Sequence, residues 1–196
     1  MYDDEFELTF DLSDEDKASR APEPEQEPVQ EAAPEPAAET EPPVEPVPEP
    51  AVPAANGRCV LISGGDRGIG AAAARAFWQA GYRVAVLYHT HAEEAAALEK
   101  ALPGLLAVQC DVASRASCEV AFHTVEQAVG HVDVLVSNAG IAQQKLFTDI
   151  TPEEWQHMLD VNLSGAFHLC QLALPGMIRR KAGRILTVSS MWGQTG

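Results

Sequence analysis

One stretch of this sequence decides the fold: CVLISGGDRGIG, residues 59–70. It begins as an apolar, β-branched run and ends in a glycine-rich turn, and an alanine-rich helical pattern starts at Ala71. This order predicts a buried strand that leads through a tight loop into the N-terminus of a helix. Such a loop directs free backbone N–H groups and the positive end of the helix dipole at an anion. The stretch therefore predicts a site for the phosphates of a nucleotide, with a simple turn as the alternative.

Three glycines give the loop its predicted shape. Gly64 permits the turn, Gly68 lets a pyrophosphate approach the backbone, and Gly70 allows the helix to pack closely on the sheet. Their spacing is Gly-x-x-x-Gly-x-Gly, which differs from the Gly-x-Gly-x-x-Gly of most dinucleotide-binding folds. The residues between the glycines complete the predicted cofactor-binding loop: Asp66, Arg67 and Ile69.

Composition divides the chain near Asn56. Residues 1–56 contain 17 of the 29 acidic residues and 11 of the 14 prolines, so the net charge of −16 belongs almost entirely to this segment. A segment rich in Pro, Glu and Ala buries too little apolar surface to offset its ordering entropy. We predict a disordered acidic tail over residues 1–56, in which nothing packs, and a folded domain over residues 57–196.

Targeting, redox and metal signals are weak in this chain. The acidic N-terminal residues do not resemble a signal peptide, and none is expected; no apolar run reaches the roughly 18 residues that a membrane span needs. The four cysteines lack Cys-x-x-Cys spacing, which favours reduced, buried thiols in a cytoplasmic protein. His89 and His91 could bind a metal, but no set of ligands that completes a site is recognised, and no metal is predicted. Neither a membrane nor nucleic acid is predicted as a partner.

Strand and helix patterns alternate regularly after residue 57. This order predicts an α/β fold with a doubly wound parallel sheet of the Rossmann type, in which ligands bind at the carboxyl ends of the strands. Thr151 and Glu154 have capping-box spacing at the start of the last helix, and Pro175 is expected to kink it. The predicted strands are 58–63, 83–88, 105–110, 132–137 and 184–189, and the predicted helices are 68–80, 91–101, 114–129 and 152–180.

Polar residues follow three of the predicted strands. Asp111-Val112 follows the third strand, Asn138-Ala139-Gly140 follows the fourth, and Ser190 follows the fifth. A carboxylate at this edge can accept a hydrogen bond from an exocyclic amine such as that of adenine. Asn162 lies inside the last predicted helix, where its propensity is poor, so it is either exposed or held for a purpose. Each of these residues also has a structural alternative, as a turn former, a helix cap or a strand terminus.

These motifs together resemble the short-chain dehydrogenase/reductase family, of the type that includes 3-oxoacyl-(acyl-carrier-protein) reductases. Two shorter stretches, LFTD at 146–149 and SSMWG at 189–193, are similar to bacterial reductases of 5-aminopentanone-modified elongation factor P. The family motifs occur in order throughout residues 57–196: SGGDRGIG at 63–70, Asp111-Val112, Asn138-Ala139-Gly140, VNLSG at 161–165, and Gly183-Arg184-Ile185 leading to Ser189-Ser190.

The resemblance implies hydride transfer between a nicotinamide cofactor and a carbonyl or alcohol, with a tyrosine as proton donor and a lysine beside it. Ser190 matches the serine that hydrogen-bonds the substrate oxygen, and Asn162 matches the asparagine that helps to place the lysine. These two are the predicted catalytic residues. The implied substrate is a small-molecule or carrier-bound carbonyl compound, with modified elongation factor P as an alternative, and the full-length parent is expected to be a homo-oligomer.

Cofactor preference can be argued from two positions. An acidic residue that closes the second strand would bind a ribose 2′-hydroxyl and repel a 2′-phosphate. Here that strand closes with Tyr88-His89-Thr90, without an acid, and Arg67 can pair with a 2′-phosphate. The sequence therefore favours NADP(H) over NAD(H). Asp66 departs from the serine that is common at this position in the family, and it brings a negative charge to the loop that is expected to hold phosphate.

The family's Tyr-x-x-x-Lys pair has no match in this sequence, because Tyr2, Tyr82 and Tyr88 all lack a lysine four residues on. We therefore expect a C-terminally incomplete reductase fold that is inactive on its own, with apolar surface exposed where the family's next helix would pack. Two alternatives remain: a catalytically dead nucleotide-binding module, and an interaction protein that acts through its acidic tail. Apolar residues at alternate positions over residues 6–12 of that tail fit strand addition to a partner's sheet.

Overall fold

A computed structural model describes residues 53–190 of the chain. The predicted tail up to residue 52 and the predicted motif residues beyond Ser190 lie outside these described residues. Within them, strands and helices alternate along the chain. The elements are β1 (Cys59–Ser63), α1 (Gly68–Gln79), β2 (Arg83–Tyr88), α2 (Ala92–Ala101), β3 (Leu106–Gln109), α3 (Arg115–Val129), β4 (Val134–Ser137), α4 (Pro152–Leu159), α5 (Gly165–Arg180) and β5 (Arg184–Thr187).

Over residues 53–190, five strands form one parallel sheet in the order β3-β2-β1-β4-β5. Val60 in the central strand β1 pairs with Val84 of β2 on one side and with Val134 of β4 on the other. The direction of winding reverses between β1 and β4, and doubly wound sheets bind ligands at such a switch point. The predicted fold class is confirmed.

The core lies on both faces of the sheet, as the continuous apolar strands predict. Along β1, Cys59 and Leu61 pack on the face covered by α3 and α5, and Val60 and Ile62 pack on the face covered by α1 and α2. All four side chains are fully buried. The central strand is therefore held from two sides, which fixes the position of the loop that follows it.

The predicted helix over residues 152–180 is divided into α4 and α5. A π-helical turn at Asp160–Ser164 separates them, and Pro175 lies inside α5, which continues through it. The regular helix is therefore interrupted around Asn162, and a kink at Pro175 stays a prediction. The side chain of Asn162 bonds to backbone outside the helix, at Ile141, and a π turn at this position accompanies that contact.

Apolar side chains are exposed on β5 and on the outer face of α5, as the sequence predicts. Leu186 and Val188 are 48% and 42% exposed on the β5 side of the sheet, and Phe167 and Ile178 are 58% and 69% exposed on α5. Clusters of exposed apolar side chains mark surfaces that other protein elements cover. None of the helices over residues 53–190 is long and apolar enough to cross a membrane.

The segment before β1 packs on the folded part, which corrects the expectation that nothing in residues 1–56 does so. The side-chain amide of Asn56 donates to the Ala80 carbonyl at 2.8 Å, and its oxygen accepts from the Arg58 N–H at 2.9 Å. The Asn56 N–H also donates to the Gly81 carbonyl at 2.9 Å. Since the carbonyl groups at the end of a helix lack partners within it, Asn56 caps the C-terminus of α1.

Replacing Asn56 with Ala should destabilise the fold by about 1 kcal/mol, because two side-chain hydrogen bonds are lost at a partly solvated position. The measurement is the free energy of unfolding in urea. Gln79→Ala, which removes an exposed amide from α1, is the matched control and should change it much less. Equal stability of the native chain and Asn56→Ala would show that the cap contributes nothing.

The capping box that the sequence predicts at α4 is confirmed. The Thr151 hydroxyl accepts from the Glu154 N–H at 3.2 Å, and the Glu154 carboxylate accepts from the Thr151 N–H at 2.9 Å. The Lys145 ammonium donates to both carboxylate oxygens, at 2.9 and 2.7 Å. Hydrogen bonds from Lys145 and from the Thr151 backbone lower the pKa of Glu154 to about 2.

Glu154 should give the fold a stability term that depends on pH. Its pKa in the folded chain is about 2, below the roughly 4.3 of an unfolded glutamate. The stabilisation is therefore complete above the unfolded value and is lost as pH falls toward the folded one. The melting temperature of Glu154→Gln should lie below that of the native chain near neutral pH, and the gap should close in acid. Glu153→Gln is the control in the same turn, and a gap that stays constant with pH would contradict the assignment.

Candidate cofactor and active site

A cavity of about 410 Å³ opens at the carboxyl ends of β1, β2, β3 and β4, at the switch point of the sheet. Its size falls within the usual range for small-molecule sites. The structure brings together at this cavity nearly all the predicted cofactor-binding residues, namely Gly64, Asp66, Arg67, Gly68, Ile69, Asp111, Val112, Asn138, Ala139 and Gly140. Gly70 lies behind the loop.

The three loop glycines differ in what surrounds them. Gly64 and Gly68 have φ angles of 61° and 54°, in the region that favours glycine. A side chain at Gly68 would meet no atom within 4 Å, so the backbone there faces open space. A Cβ at Gly70 would collide with the carbonyl of Gly64 and lie 2.7 Å from the amide nitrogen of Asn138. The loop thus leaves free space at Gly68, where a phosphate is predicted, and no space at Gly70, where α1 packs on the loop.

The N-terminus of α1 faces the cavity with its donors available. Arg67 is the N-cap residue in an extended conformation, and its side chain does not cap the helix. The first turn also contains no acidic residue. Because the first N–H groups of a helix lack partners within the helix, this terminus offers both hydrogen-bond donors and a positive dipole to an anion.

Ser63 and Asn138 join the end of β1 to the end of β4, and we call these two residues the strand-end clamp. The Ser63 hydroxyl oxygen accepts from the N–H groups of Asn138 and Ala139, at 3.0 and 3.1 Å. The Asn138 amide nitrogen donates to the carbonyls of Ser63 and Gly64, at 3.1 and 2.9 Å. Because its side-chain amide donates to the carbonyls of Ser63 and Gly64, Asn138 holds the glycine loop in position.

Asp111 closes β3 with a turn of its own. Its carboxylate accepts from the Ala113 N–H at 3.0 Å, and its N–H donates to the Ser117 hydroxyl at 3.0 Å. The N-cap of α3 is Ser114, which rules out the helix-cap alternative for Asp111. Asp111 stays half-buried at the cavity, so hydrogen bonding to a base remains a prediction.

The neighbouring cysteines are packing residues. Cys110 and Cys118 are buried with their sulfurs 4.0 Å apart, and all four cysteines are free thiols. The hydrogen bond with Cys110 and burial both raise the pKa of Cys118, which holds it as a neutral thiol. Burial likewise raises the pKa of Cys59 to about 11. Cys59 and Cys118 therefore lack the reactivity of a low-pKa cysteine nucleophile. The hydrogen bond with Cys118 lowers the pKa of Cys110, whose side chain is buried.

Asn162 is exposed and also held, so both expectations for it apply. Its amide oxygen accepts from the Ile141 N–H at 2.8 Å, and its amide nitrogen donates to the Ile141 carbonyl at 3.0 Å. A second donation runs to the sulfur of Met158 at 2.9 Å. Asn162 thereby holds the segment after Gly140 against the π-helical turn. A catalytic contribution of Asn162 stays a prediction.

Ser190 follows β5 at the same edge of the sheet and is exposed. The segment between β5 and Ser190 stays attached to β4, because the Val188 N–H donates to the Ser137 carbonyl at 2.9 Å. Ser190 lies outside the set of residues that line the cavity, and Asn162 does too. The structure therefore brings the predicted cofactor residues together and places the two predicted catalytic residues beside them.

Sequence reasoning overlooked several residues of the site. Ser63 is fully buried in the clamp. A polar residue at the end of an otherwise apolar strand was the signal in the sequence that could have identified it. His91 lines the cavity beside Asp66, and His157 lines it from α4. Ile141 also lines the cavity, and its backbone pairs with Asn162, a contact that no side-chain pattern can reveal. Across residues 53–190, no group of three or more His, Cys, Asp or Glu side chains is arranged to hold a metal ion.

Comparison with known proteins places this site in a family context. The family described as short chain dehydrogenase matches residues 58–196. The chain is 40% identical over 139 residues to an acetoacetyl-CoA reductase of Shinella zoogloeoides, which covers 71% of this chain and 57% of that protein. It is also 40% identical over 144 residues to the 3-oxoacyl-[acyl-carrier-protein] reductase MabA of Mycobacterium avium, covering 72% of this chain and 53% of that one.

A solved structure shows the same fold. The crystal structure of gox2181 superimposes with a TM-score of 0.67 at 32% identity, over 70% of this chain and 55% of that one. The chain thus spans little more than half the length of the curated relatives it matches. The match over residues 58–196, together with the glycine loop at the switch point, shows that this chain belongs to the short-chain dehydrogenase family of oxidoreductases.

Proposed function

We propose that this chain supplies the NADP(H)-binding part of a carbonyl reductase that acts on 3-oxoacyl thioesters. The observation that carries the proposal is the mouth of the cavity, where Arg67 is exposed beside the open loop and β2 closes without an acidic residue. An acid at the end of β2 would repel a 2′-phosphate, whereas an arginine can pair with it.

The residues of the cavity fit a nicotinamide dinucleotide. The backbone at Gly68 faces open space, and the uncapped N-terminus of α1 meets it there, as a pyrophosphate requires. Half-buried Asp111 lies across the cavity, at the end of β3, where a carboxylate can accept from the adenine amine. When bound, the cofactor supplies or accepts a hydride. The protein binds it, orients it and shields it from water.

The substrate class follows from the relatives. One is named an acetoacetyl-CoA reductase and another a 3-oxoacyl-[acyl-carrier-protein] reductase, and both names denote a 3-oxoacyl thioester carbonyl. Ser190 would donate a hydrogen bond to that carbonyl oxygen, where negative charge develops during reduction. Modified elongation factor P, suggested by residues 146–149, is the alternative substrate.

Proton donation is the step that the described residues do not supply. The printed sequence has no tyrosine with a lysine four residues on, and a serine hydroxyl such as that of Ser190 is too weak an acid to replace one near neutral pH. Loss of a general acid typically lowers the rate by about 10²–10⁴-fold. The 196-residue chain should therefore bind cofactor without efficient reduction.

Location and assembly belong to the same proposal. The four free thiols, three of them buried, fit a reducing compartment, which supports a cytoplasmic protein. Exposed Phe167 and Ile178 on α5, with Leu186 on β5, supply apolar surface for a homo-oligomer of the whole reductase.

Arg67→Ala should weaken binding of NADPH roughly ten- to a hundredfold and should leave NADH binding almost unchanged. A charge-assisted hydrogen bond contributes about 1.5–3 kcal/mol, and only NADPH has the 2′-phosphate that would receive it. Calorimetric titration with each cofactor measures the effect. Arg75→Ala, an exposed arginine further along α1, is the matched control. Equal losses for both cofactors would contradict the NADP(H) assignment.

The 196-residue chain should show no reductase turnover, although a chain extended through a Tyr-x-x-x-Lys helix should. The assay follows NADPH oxidation with acetoacetyl-CoA and, separately, with aminopentanone-modified elongation factor P. Turnover only with the second substrate would replace the thioester assignment. If the extended chain binds NADPH and reduces neither substrate, the chain is a nucleotide-binding module and the proposed reductase activity is wrong.

A further inference from the structure

Asp66 brings a buried negative charge to the loop that is predicted to hold phosphate. The Asp66 side chain is only 5% exposed, and its oxygen Oδ2 is buried without a hydrogen-bond partner. A buried carboxylate is costly unless another charge or a set of donors compensates it. The nearest cationic group is the His91 imidazole, whose Nδ1 lies 3.5 Å from that oxygen.

The separation between Asp66 and His91 suits an ion pair more than a hydrogen bond. At 3.5 Å the two atoms are close enough for strong electrostatic attraction, but longer than a well-formed hydrogen bond of 2.7–3.2 Å. The imidazole is therefore expected to compensate the carboxylate when it carries a proton. A neutral imidazole leaves the negative charge of Asp66 uncompensated.

The pair lies where the two cofactors differ. His91 lies three residues after the end of β2, on the part of the cavity where doubly wound folds place the adenosine ribose. Arg67, the candidate partner of a 2′-phosphate, lines the same part of the cavity beside Asp66. An uncompensated charge on Asp66 would repel a 2′-phosphate bound there, whereas it would not repel the neutral 2′-hydroxyl of NADH.

We propose that Asp66 and His91 form a proton-dependent pair that sets the preference between NADPH and NADH. Protonated His91 neutralises Asp66 and leaves Arg67 to attract the 2′-phosphate. Neutral His91 exposes the phosphate to the carboxylate, so the preference for NADPH weakens. This inference rests on the proposed cofactor site, and it names the residues that determine its specificity.

The other charged groups around His91 are Arg67 in the glycine loop and Glu93 and Glu94 in the first turn of α2, of which His91 is the N-cap residue. The remaining titratable groups that line the cavity are His89 after β2, Cys110 and Asp111 after β3, and His157 on α4.

Cofactor titrations of the 196-residue chain at about pH 6 and about pH 8.5, on either side of the usual imidazole range, test the pair. The 2′-phosphate itself gains charge over this interval, which strengthens NADPH binding in every variant. His91→Gln therefore supplies the baseline. The NADPH affinity of the native chain relative to His91→Gln should fall roughly tenfold between the two pH values, about 1.4 kcal/mol. The corresponding ratio for NADH should stay constant.

Two further variants separate electrostatics from folding. Asp66→Asn should raise the affinity for NADPH relative to that for NADH several-fold over the native chain at the higher pH. His131→Gln, at an exposed histidine on the loop before β4, is the matched control and should follow the native pH profile. If Asp66→Asn fails to fold, the comparison with His91→Gln still decides.

The outcomes distinguish this inference from the function it rests on. If the NADPH affinities of the native chain and of His91→Gln change with pH in the same way, the proposed pair is wrong and the proposed NADP(H) site is unaffected. A loss of affinity for both cofactors in Asp66→Asn would show that Asp66 only supports the loop. Absence of binding by either cofactor to the native chain would overturn both the proposed site and the pair.

Discussion

The site depends on the clamp in which Ser63 and Asn138 tie the ends of β1 and β4 together. Its four hydrogen bonds use a buried hydroxyl and a side-chain amide to satisfy two N–H groups and two carbonyls at strand ends, where the ladder no longer provides partners. Leaving one such group unsatisfied costs about 1–3 kcal/mol. The clamp fixes the carbonyl of Gly64, and the helix at Gly70 packs directly against that carbonyl. One pair of side chains thus determines where the N-terminus of α1 points.

The sequence was sufficient for the architecture because the signals there are local and repeated. Five apolar runs with helical patterns between them predict the parallel sheet, and each predicted strand is present, shortened by no more than two residues at either end. Thr151 and Glu154 predict the start of α4, because their capping-box motif is complete within four residues. Contacts between distant segments could not be read in this way. The bond from Asn162 to the Ile141 backbone spans 21 residues, and the cap that Asn56 provides for α1 spans 24.

Asn162 shows how a poor helix residue acquires a structural role. Its side-chain amide has one donor group and one acceptor, as a backbone peptide unit has. The N–H and the carbonyl of Ile141 both bond to this amide, as they would to a neighbouring strand. The π-helical turn at Asp160–Ser164 accompanies this pairing, at a point where a regular helix would continue. The segment after Gly140 is therefore held at one end by Asn162 and at the other by the ion pair of Lys145 with Glu154. Two contacts on neighbouring elements thus hold the segment whose first residues, Gly140 and Ile141, line the cavity.

Asp66 remains the one group whose burial works against a phosphate site, and its surroundings explain how the loop tolerates it. A serine at this position would need no counter-charge, whereas a carboxylate with a buried, unpartnered oxygen is stable only if some cation lies near. Arg67 points into solvent at the mouth of the cavity, which leaves His91 as the cation within ion-pair distance. An arginine or lysine would compensate the carboxylate at every physiological pH. An imidazole compensates it only while protonated, so the choice of histidine makes the charge of the loop a function of pH.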